Sequence, residues 1–199
     1  MKVVILGASG FAIELAALVR GAGGTVVGFI APEMADLPAP WLGGDEVLET
    51  AVPDAEVLVA VGAPAARARL SDMVRANGRK LATFVSPTAF VADDAVLGEG
   101  VMIYPNATVH ARTRLGRGVL VNSNASVGHE TRISDFSNVG PGVTLGGRCV
   151  IGERVYLGIG SCMLEELTIA PDITIGAGAA VIRNIAEAGT YAGVPARKL

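Results

Sequence analysis

"VGHETRISDFSNVG", residues 127–140, sets Val127, Ile133 and Val139 six apart, with small, polar and charged residues filling most of the positions between them. A helix recurs every 3.6 residues and a strand every 2, so neither produces a spacing of six. The step extends in both directions. It runs from Val85 through Val91, Leu97, Ile103, Val109, Leu115 and Val121 to Val127. Beyond Val139 it passes Leu145, Ile151, Leu157, Met163, Ile169 and Ile175 to Val181, and all seventeen positions are aliphatic or methionine without a slip. Four places after each, the residue is usually small or β-branched, as at Ala95, Ala107, Thr113, Ala125, Thr131 and Ser137. The period predicts a parallel β-helix: each coil has three six-residue sides, and each side points one large side chain inward at the same place in every layer. The run is long enough for a little over five coils, a prism roughly 25 Å tall at a strand spacing of about 4.8 Å.

Residues 1–82 follow a different pattern. "KVVIL" reads as a buried strand, "GASG" as a tight loop, "FAIELAALVRGAG" as an apolar-periodic helix ending in glycines, and "TVVGFI" as a second strand. A stretch rich in proline and acids follows, then "EVLVAVG" as a third strand and "AARARLSDMVRANG" as a second helix. This order predicts an α/β, Rossmann-like N-terminal domain over 1–82, followed by the hexapeptide-repeat β-helix domain and its tail over 83–199.

Composition narrows the partners. Sixteen Lys and Arg against nineteen Asp and Glu give a formal charge of -3, and no basic run is long enough to track a phosphate backbone, so nucleic acid is not an expected partner. Charges, glycines and prolines interrupt every apolar stretch before about 20 residues accumulate, so no membrane span is expected. The start reads as strand, loop and helix, because Glu14 and the glycine turn break the run where a signal peptide would continue. Cys149 and Cys162 lack metal-ligand spacing and suit a reducing, cytoplasmic setting.

The hexads, the closing "YAGVPARKL", the N-terminal "GASG", the "HE" at 129–130 and the later "LGIGSC" together resemble the left-handed β-helix acyltransferases. The combination is similar to the bacterial nucleotide-sugar N-acetyltransferase and sialic acid O-acetyltransferase family, which includes the bacillosamine N-acetyltransferases. The resemblance covers essentially the whole chain. It implies a homotrimer, acetyl-CoA lying along the groove between two prisms, and transfer of acetyl to the amine or hydroxyl of a sugar or nucleotide-linked amino sugar held partly by the N-terminal domain.

Acetyl transfer from a thioester requires the acceptor to lose a proton as it attacks, and imidazole is suited to take it near neutral pH. A neighbouring carboxylate can hold the ring in one tautomer and stabilise its protonated form. His129 stands third in the hexad that begins at Val127, so it is expected to point away from the interior. The resemblance makes it the general base and Glu130 its helper. His110 is expected to be a surface residue, and Cys149 a structural one at an inward small site. The resemblance also implies acetyl-CoA contacts at Asn138, Ile159 and Ala177. Relatives often carry a second histidine at the first of these, and an amide there can hydrogen-bond but carries no proton-borne charge. Arg197 and Lys198 are placed either on CoA phosphates or in a solvated terminus.

"GASGFA" precedes a helix, so its backbone N–H groups can receive a polar ligand group, but it is not G-x-G-x-x-G. The second strand ends "GFIAP" without the acidic residue of a dinucleotide site, which argues against NAD. The resemblance places a sugar nucleotide against Ser9, Gly10, Phe11 and Gly62. Two rival functions remain at this point: a zinc hydratase like the γ-class carbonic anhydrases, which wants three histidines where the chain has two, and a non-catalytic β-helix scaffold. No metal is expected.

Overall fold

The computed structural model describes residues 1–33 and 36–199, and the chain divides into two compact units, Met1–Phe84 and Val85–Leu199. In the first unit, β1 (Lys2–Leu6), β2 (Thr25–Ile30), β3 (Trp41–Gly43) and β4 (Glu56–Val59) form one parallel sheet in the order β3-β2-β1-β4. Val3, Val4 and Ile5 of the central strand have no exposed surface, as expected of a strand covered on both faces. Helix α1 (Gly10–Gly21) buries Ala12, Leu15, Ala16 and Val19, the three- and four-residue steps of a single apolar stripe. Helix α2 (Pro64–Ala76) starts on a proline, whose missing N–H costs nothing in the first turn.

A buried arginine ties the loops of this unit together. Arg79 donates from Nη1 to the carbonyls of Leu48 and Ala51 and from Nη2 to those of Val52 and Ala55, so its burial is compensated by four acceptors. Strand β3 lies inside the stretch that the sequence shows only as rich in proline and acids. It forms because the Phe29 N–H donates to the Pro40 carbonyl and the Trp41 indole N–H donates to the Ala31 carbonyl, pairings that a three-residue strand does not advertise by periodicity.

The second unit is a parallel β-solenoid. A short strand ends at each of the seventeen aliphatic positions, and the strands stack into three sheets. Register is kept without a shift: Val127 pairs with Leu145, Leu115 with Ile133 and Val139 with Leu157, each a full coil apart. From Ile103 onward the inward aliphatics are buried and form one continuous core. The small inward site lies beside the corner, where a hydroxyl can reach backbone: Thr113 donates to the Gly128 carbonyl, Thr131 to Gly146 and Ser137 to Gly152. From Gly100 to Gly178 the residue three places after each aliphatic takes a positive φ, so even Arg112, Glu130, Phe136 and Arg148 adopt values near 58–59°. For a residue with a Cβ this conformation is disfavoured by roughly 1–2 kcal/mol, so it is the stacked coils that impose it.

The ends depart from the ideal repeat. Val85 is exposed and Val91 and Leu97 are only half-buried, because the first coil has a neighbouring coil of the solenoid on one side only. At the other end Gly189–Ala192 adds a parallel strand to Ile173–Ile175, and Arg197–Lys198 folds back on it antiparallel after a cis Val194–Pro195 bond. Among the described residues no helix is long and apolar enough to cross a membrane.

Candidate active site

His129 and Glu130 are the two turn residues at the corner between strands Ser126–Val127 and Arg132–Ile133. The turn carries the His129 side chain outward, with 54% of it exposed, and its Nδ1 lies 3.1 Å from Glu130 Oε2. Nε2 is therefore the ring nitrogen turned to other chemistry. One coil further on, Gly147 lies against the same ring: a Cβ at that position would sit 2.5 Å from His129 Nε2.

Glu130 is held in a ladder of alternating charge that runs up this corner through Asp94, Arg112, Glu130, Arg148 and Glu166. Asp94 Oδ1 accepts the Arg112 backbone N–H at 2.9 Å. The Glu130 oxygens stand 3.8 Å from Arg112 Nη1 and 3.8 Å from Arg148 Nη1, and Arg148 Nε donates to Glu166 Oε1 at 2.9 Å. Glu166 pushes the Arg148 guanidinium further above its ordinary range, first through that hydrogen bond and then through its charge. Exposed pairs of this kind contribute little to folding, because solvent screens them. Their consequence here is positional, since Glu130 is fixed from both sides while it faces the imidazole.

Two open cavities flank the corner. One, of about 380 Å³, is lined by Asp94, Ala111, Arg112, His129 and Glu130. The other, of about 390 Å³, shares Asp94, Arg112 and Glu130 and adds Arg114 and Arg132.

The remaining candidates in the solenoid lie on another side of it. Asn138 is buried in the sheet where it pairs with Leu120 and Tyr156. Ile159 and Ala177 are exposed at equivalent turn positions of successive coils, at the corner that follows that sheet. One chain thus gathers His129 with Glu130, and Ile159 with Ala177, but does not bring the two groups together. Cys149 is fully buried, its Sγ lies 3.3 Å from the Gly146 carbonyl, and burial pushes its thiol up, all of which suits structure over nucleophilic attack. His110 is exposed, with Phe90 as its ring neighbour at 6.3 Å. Lys198 pairs with Glu187, and Arg197 donates to its neighbour's carbonyl.

In the N-terminal unit, Ser9 caps α1 with an extended backbone and no side-chain cap hydrogen bond, so both its hydroxyl and Gly10 face outward. Phe11 and Gly62 are half-buried. Gly7, at φ +123°, admits no side chain because a Cβ would meet the Ala60 carbonyl oxygen at 2.9 Å. Sequence reasoning missed Arg67, which is buried on α2 and donates from Nη1 to the carbonyls of Val61 at 2.9 Å and Gly62 at 3.0 Å. Nor did it show Gly147, whose partner is eighteen residues away. Among the described residues no three His, Cys, Asp or Glu side chains are grouped as a metal ion needs.

A parallel solenoid that presents an imidazole–carboxylate pair at a corner is the architecture of hexapeptide-repeat acyltransferases. Comparison with solved structures narrows the class. The chain is similar to perosamine N-acetyltransferase from Caulobacter crescentus, solved as a histidine-to-asparagine variant in complex with CoA and GDP-perosamine: 30% identity over 100% of this chain and 97% of that one, with a TM-score of 0.95. It is equally similar to the acetyltransferase domain of PglB from Neisseria gonorrhoeae in complex with acetyl coenzyme A, at 31% identity over 100% and 98% of the two chains and a TM-score of 0.95. WeeI from Acinetobacter baumannii AYE shares the fold, at 22% identity, full coverage of both chains and a TM-score of 0.84. No protein-family model and no curated protein matches the chain. The chain belongs to the hexapeptide-repeat nucleotide-sugar N-acetyltransferases, and it is a sugar acetyltransferase.

Proposed function

We propose that the protein transfers acetyl from acetyl-CoA directly to the amine of a nucleotide-linked amino sugar, with His129 as general base and Glu130 as its partner. The 3.1 Å approach of His129 Nδ1 to Glu130 Oε2 carries this reading, because it leaves Nε2 to take a proton. The amine nitrogen attacks the thioester carbonyl and loses a proton to Nε2. The tetrahedral intermediate then expels the CoA thiolate, which takes that proton from the imidazolium, so the ring returns to its starting form. A carboxylate at Nδ1 fixes the tautomer and stabilises the imidazolium that forms in between. Cys149 takes no part, and no acyl-enzyme is formed.

Asn138, Ile159 and Ala177 are proposed to contact acetyl-CoA, the first through its amide and the others through exposed apolar surface. Their separation from His129 on one chain fits a homotrimer of left-handed prisms, in which one subunit's corner meets another subunit's side. The N-terminal unit is proposed to be a Rossmann-like acceptor domain over residues 1–82. Its parallel sheet supports this, as do the outward-facing Ser9 and Gly10 and the Arg67 clasp on Gly62; Phe11 completes the acceptor contacts. GDP-perosamine, the ligand of the Caulobacter enzyme, exemplifies the acceptor class. The test is thiol release from acetyl-CoA over a panel of nucleotide-linked and free amino sugars. Turnover on at least one nucleotide-linked amine is expected, and no acetylated product from any member would sink the proposal.

A further inference from the structure

The arginines of the solenoid are not all placed alike. Arg112, Arg117, Arg148 and Arg154 occupy corner turns, and each has a carboxylate one coil away, in Glu130, Asp135, Glu166 and Asp172 respectively. Arg114 and Arg132 instead project from strands. They are direct register partners in one sheet, between Val96 on one side and Val150 on the other, and both are exposed. Among the described residues neither has an ion pair or a side-chain hydrogen bond, and their row contains no acid. Two guanidinium groups carried at paired positions of neighbouring strands, where the strands themselves run about 4.8 Å apart, repel each other and cost stability. An anion carrying two adjacent negative groups reverses the sign of that arrangement, because each planar fork can take one group in paired hydrogen bonds.

The surroundings say which anion. Both side chains line the cavity of about 390 Å³ together with Arg112, Asp94 and Glu130, so three guanidinium groups meet two carboxylates there; Glu130 stands 3.8 Å from Arg112 Nη1, and Asp94 accepts the Arg112 backbone N–H. That cavity shares three residues with the one that holds His129, so a group bound there lies next to the proposed base. In a nucleotide-linked amino sugar, one sugar ring separates the diphosphate from the amine. In CoA the diphosphate is a whole pantetheine arm from the thioester. We propose that Arg114 and Arg132 bind the diphosphate of the nucleotide-linked acceptor and so set the preference for a nucleotide-linked sugar over a free one. The proposal rests on the acetyltransferase function above.

The experiment compares the full-length protein with the R114Q/R132Q double variant. Calorimetric titration with inorganic diphosphate is expected to show binding to the unsubstituted protein and at least tenfold weaker binding to the variant. In steady-state kinetics, KM for the nucleotide-linked acceptor rises tenfold or more while KM for acetyl-CoA stays within twofold. The ligand-free variant melts no lower than the parent, since a repulsion has been removed. Unchanged diphosphate binding overturns the proposal. So does a rise confined to the KM for acetyl-CoA, which would give the site to CoA, or a lower melting temperature of the ligand-free variant, which would make the pair structural. Absence of acetylation by the parent protein counts against the function alone, because the diphosphate titration reads the site without turnover.

Discussion

The imidazole of His129 rests against Gly147, one coil further along the solenoid, so closely that a Cβ there would lie 2.5 Å from Nε2 and 2.7 Å from Cε1. Gly147 does not have a positive φ, so alanine is compatible with the backbone, and the three nearest atoms that a Cβ would meet all belong to the ring. Gly147→Ala is therefore expected to leave the fold intact, and can gain about 0.4–1 kcal/mol through the unfolded chain. The ring must move, and a misplacement on the order of 1 Å costs about 100-fold in rate. The measurement is kcat beside melting temperature. Parental turnover in a well-folded variant would show that the ring works from another position.

His129→Ala should lower turnover by roughly 10²–10⁴-fold, the usual contribution of a general base. The side chain lies outside the core, so melting temperature and sedimentation should match the parent. Glu130→Gln should retain more activity than His129→Ala, because an amide can still orient Nδ1 but cannot stabilise the imidazolium. A His129→Ala enzyme that acetylates every accepted sugar at near-normal rates removes the residue from the mechanism.

How much of this was legible in the sequence depends on how far each relationship reaches. The inward row from Ile103 to Val181 shows as a simple step of six because every member meets the same environment in each layer. His129 and Glu130 show because they are adjacent. Contacts between coils join residues eighteen apart, and a local pattern does not reveal what Gly147 touches or that Glu130 is braced by Arg112 and Arg148. The same separation hides the meeting of Arg114 with Arg132. In the N-terminal unit, strand β3 escaped because three residues are too few for alternation to register, and Arg67 because a helical arginine is ordinarily on the surface. The trimmed burial of Val85, Val91 and Leu97 reflects the end of a stack, which a periodic row cannot mark.

At another corner, Arg154 holds the Asp172 carboxyl below its usual range, chiefly through a hydrogen bond from Nε at 2.7 Å. A carboxylate whose pKa is depressed on folding contributes stability that is fully present above its unfolded value, near 3.8, and is lost as pH falls through the lower folded value. Asp172→Asn should therefore lower the melting temperature at pH 7, modestly because the pair is largely exposed, and the difference should vanish in strong acid. Melting curves from pH 7 to pH 2 check this. A difference that persists at the acid end would mean that Asp172 acts through packing and not through its charge.

The choice of nucleotide should depend on the ends of the second and third strands. The resemblance to the nucleotide-sugar N-acetyltransferases implies, for members that take UDP-sugars, a pair of acids at the end of the second strand and "GNN" after the third, whereas this chain has "FIAP" at Phe29–Pro32 and "VGAP" at Val61–Pro64. The structure closes off the backbone as a substitute. Ala31 is buried, its N–H donates to the Gly43 carbonyl at 3.1 Å, and its carbonyl accepts the Trp41 indole N–H at 3.0 Å. Pro32 has no N–H to offer, and Ala63, at the N-cap of α2, lacks an amide side chain. A hydrogen bond to a charged group contributes about 1.5–3 kcal/mol, so losing two without replacement should weaken a uridine site by about two orders of magnitude or more. UDP-linked 4-amino sugars are therefore expected to be poor acceptors beside one that carries another nucleotide. Calorimetric binding and steady-state kinetics over UDP-, dTDP- and GDP-linked amino sugars, with acetyl-CoA saturating, make the comparison. If a UDP-amino sugar binds at low micromolar concentration and outruns every other acceptor, the inference from Ala31, Pro32 and Ala63 fails, and Glu33 and Asp36 become the carboxylates to substitute next.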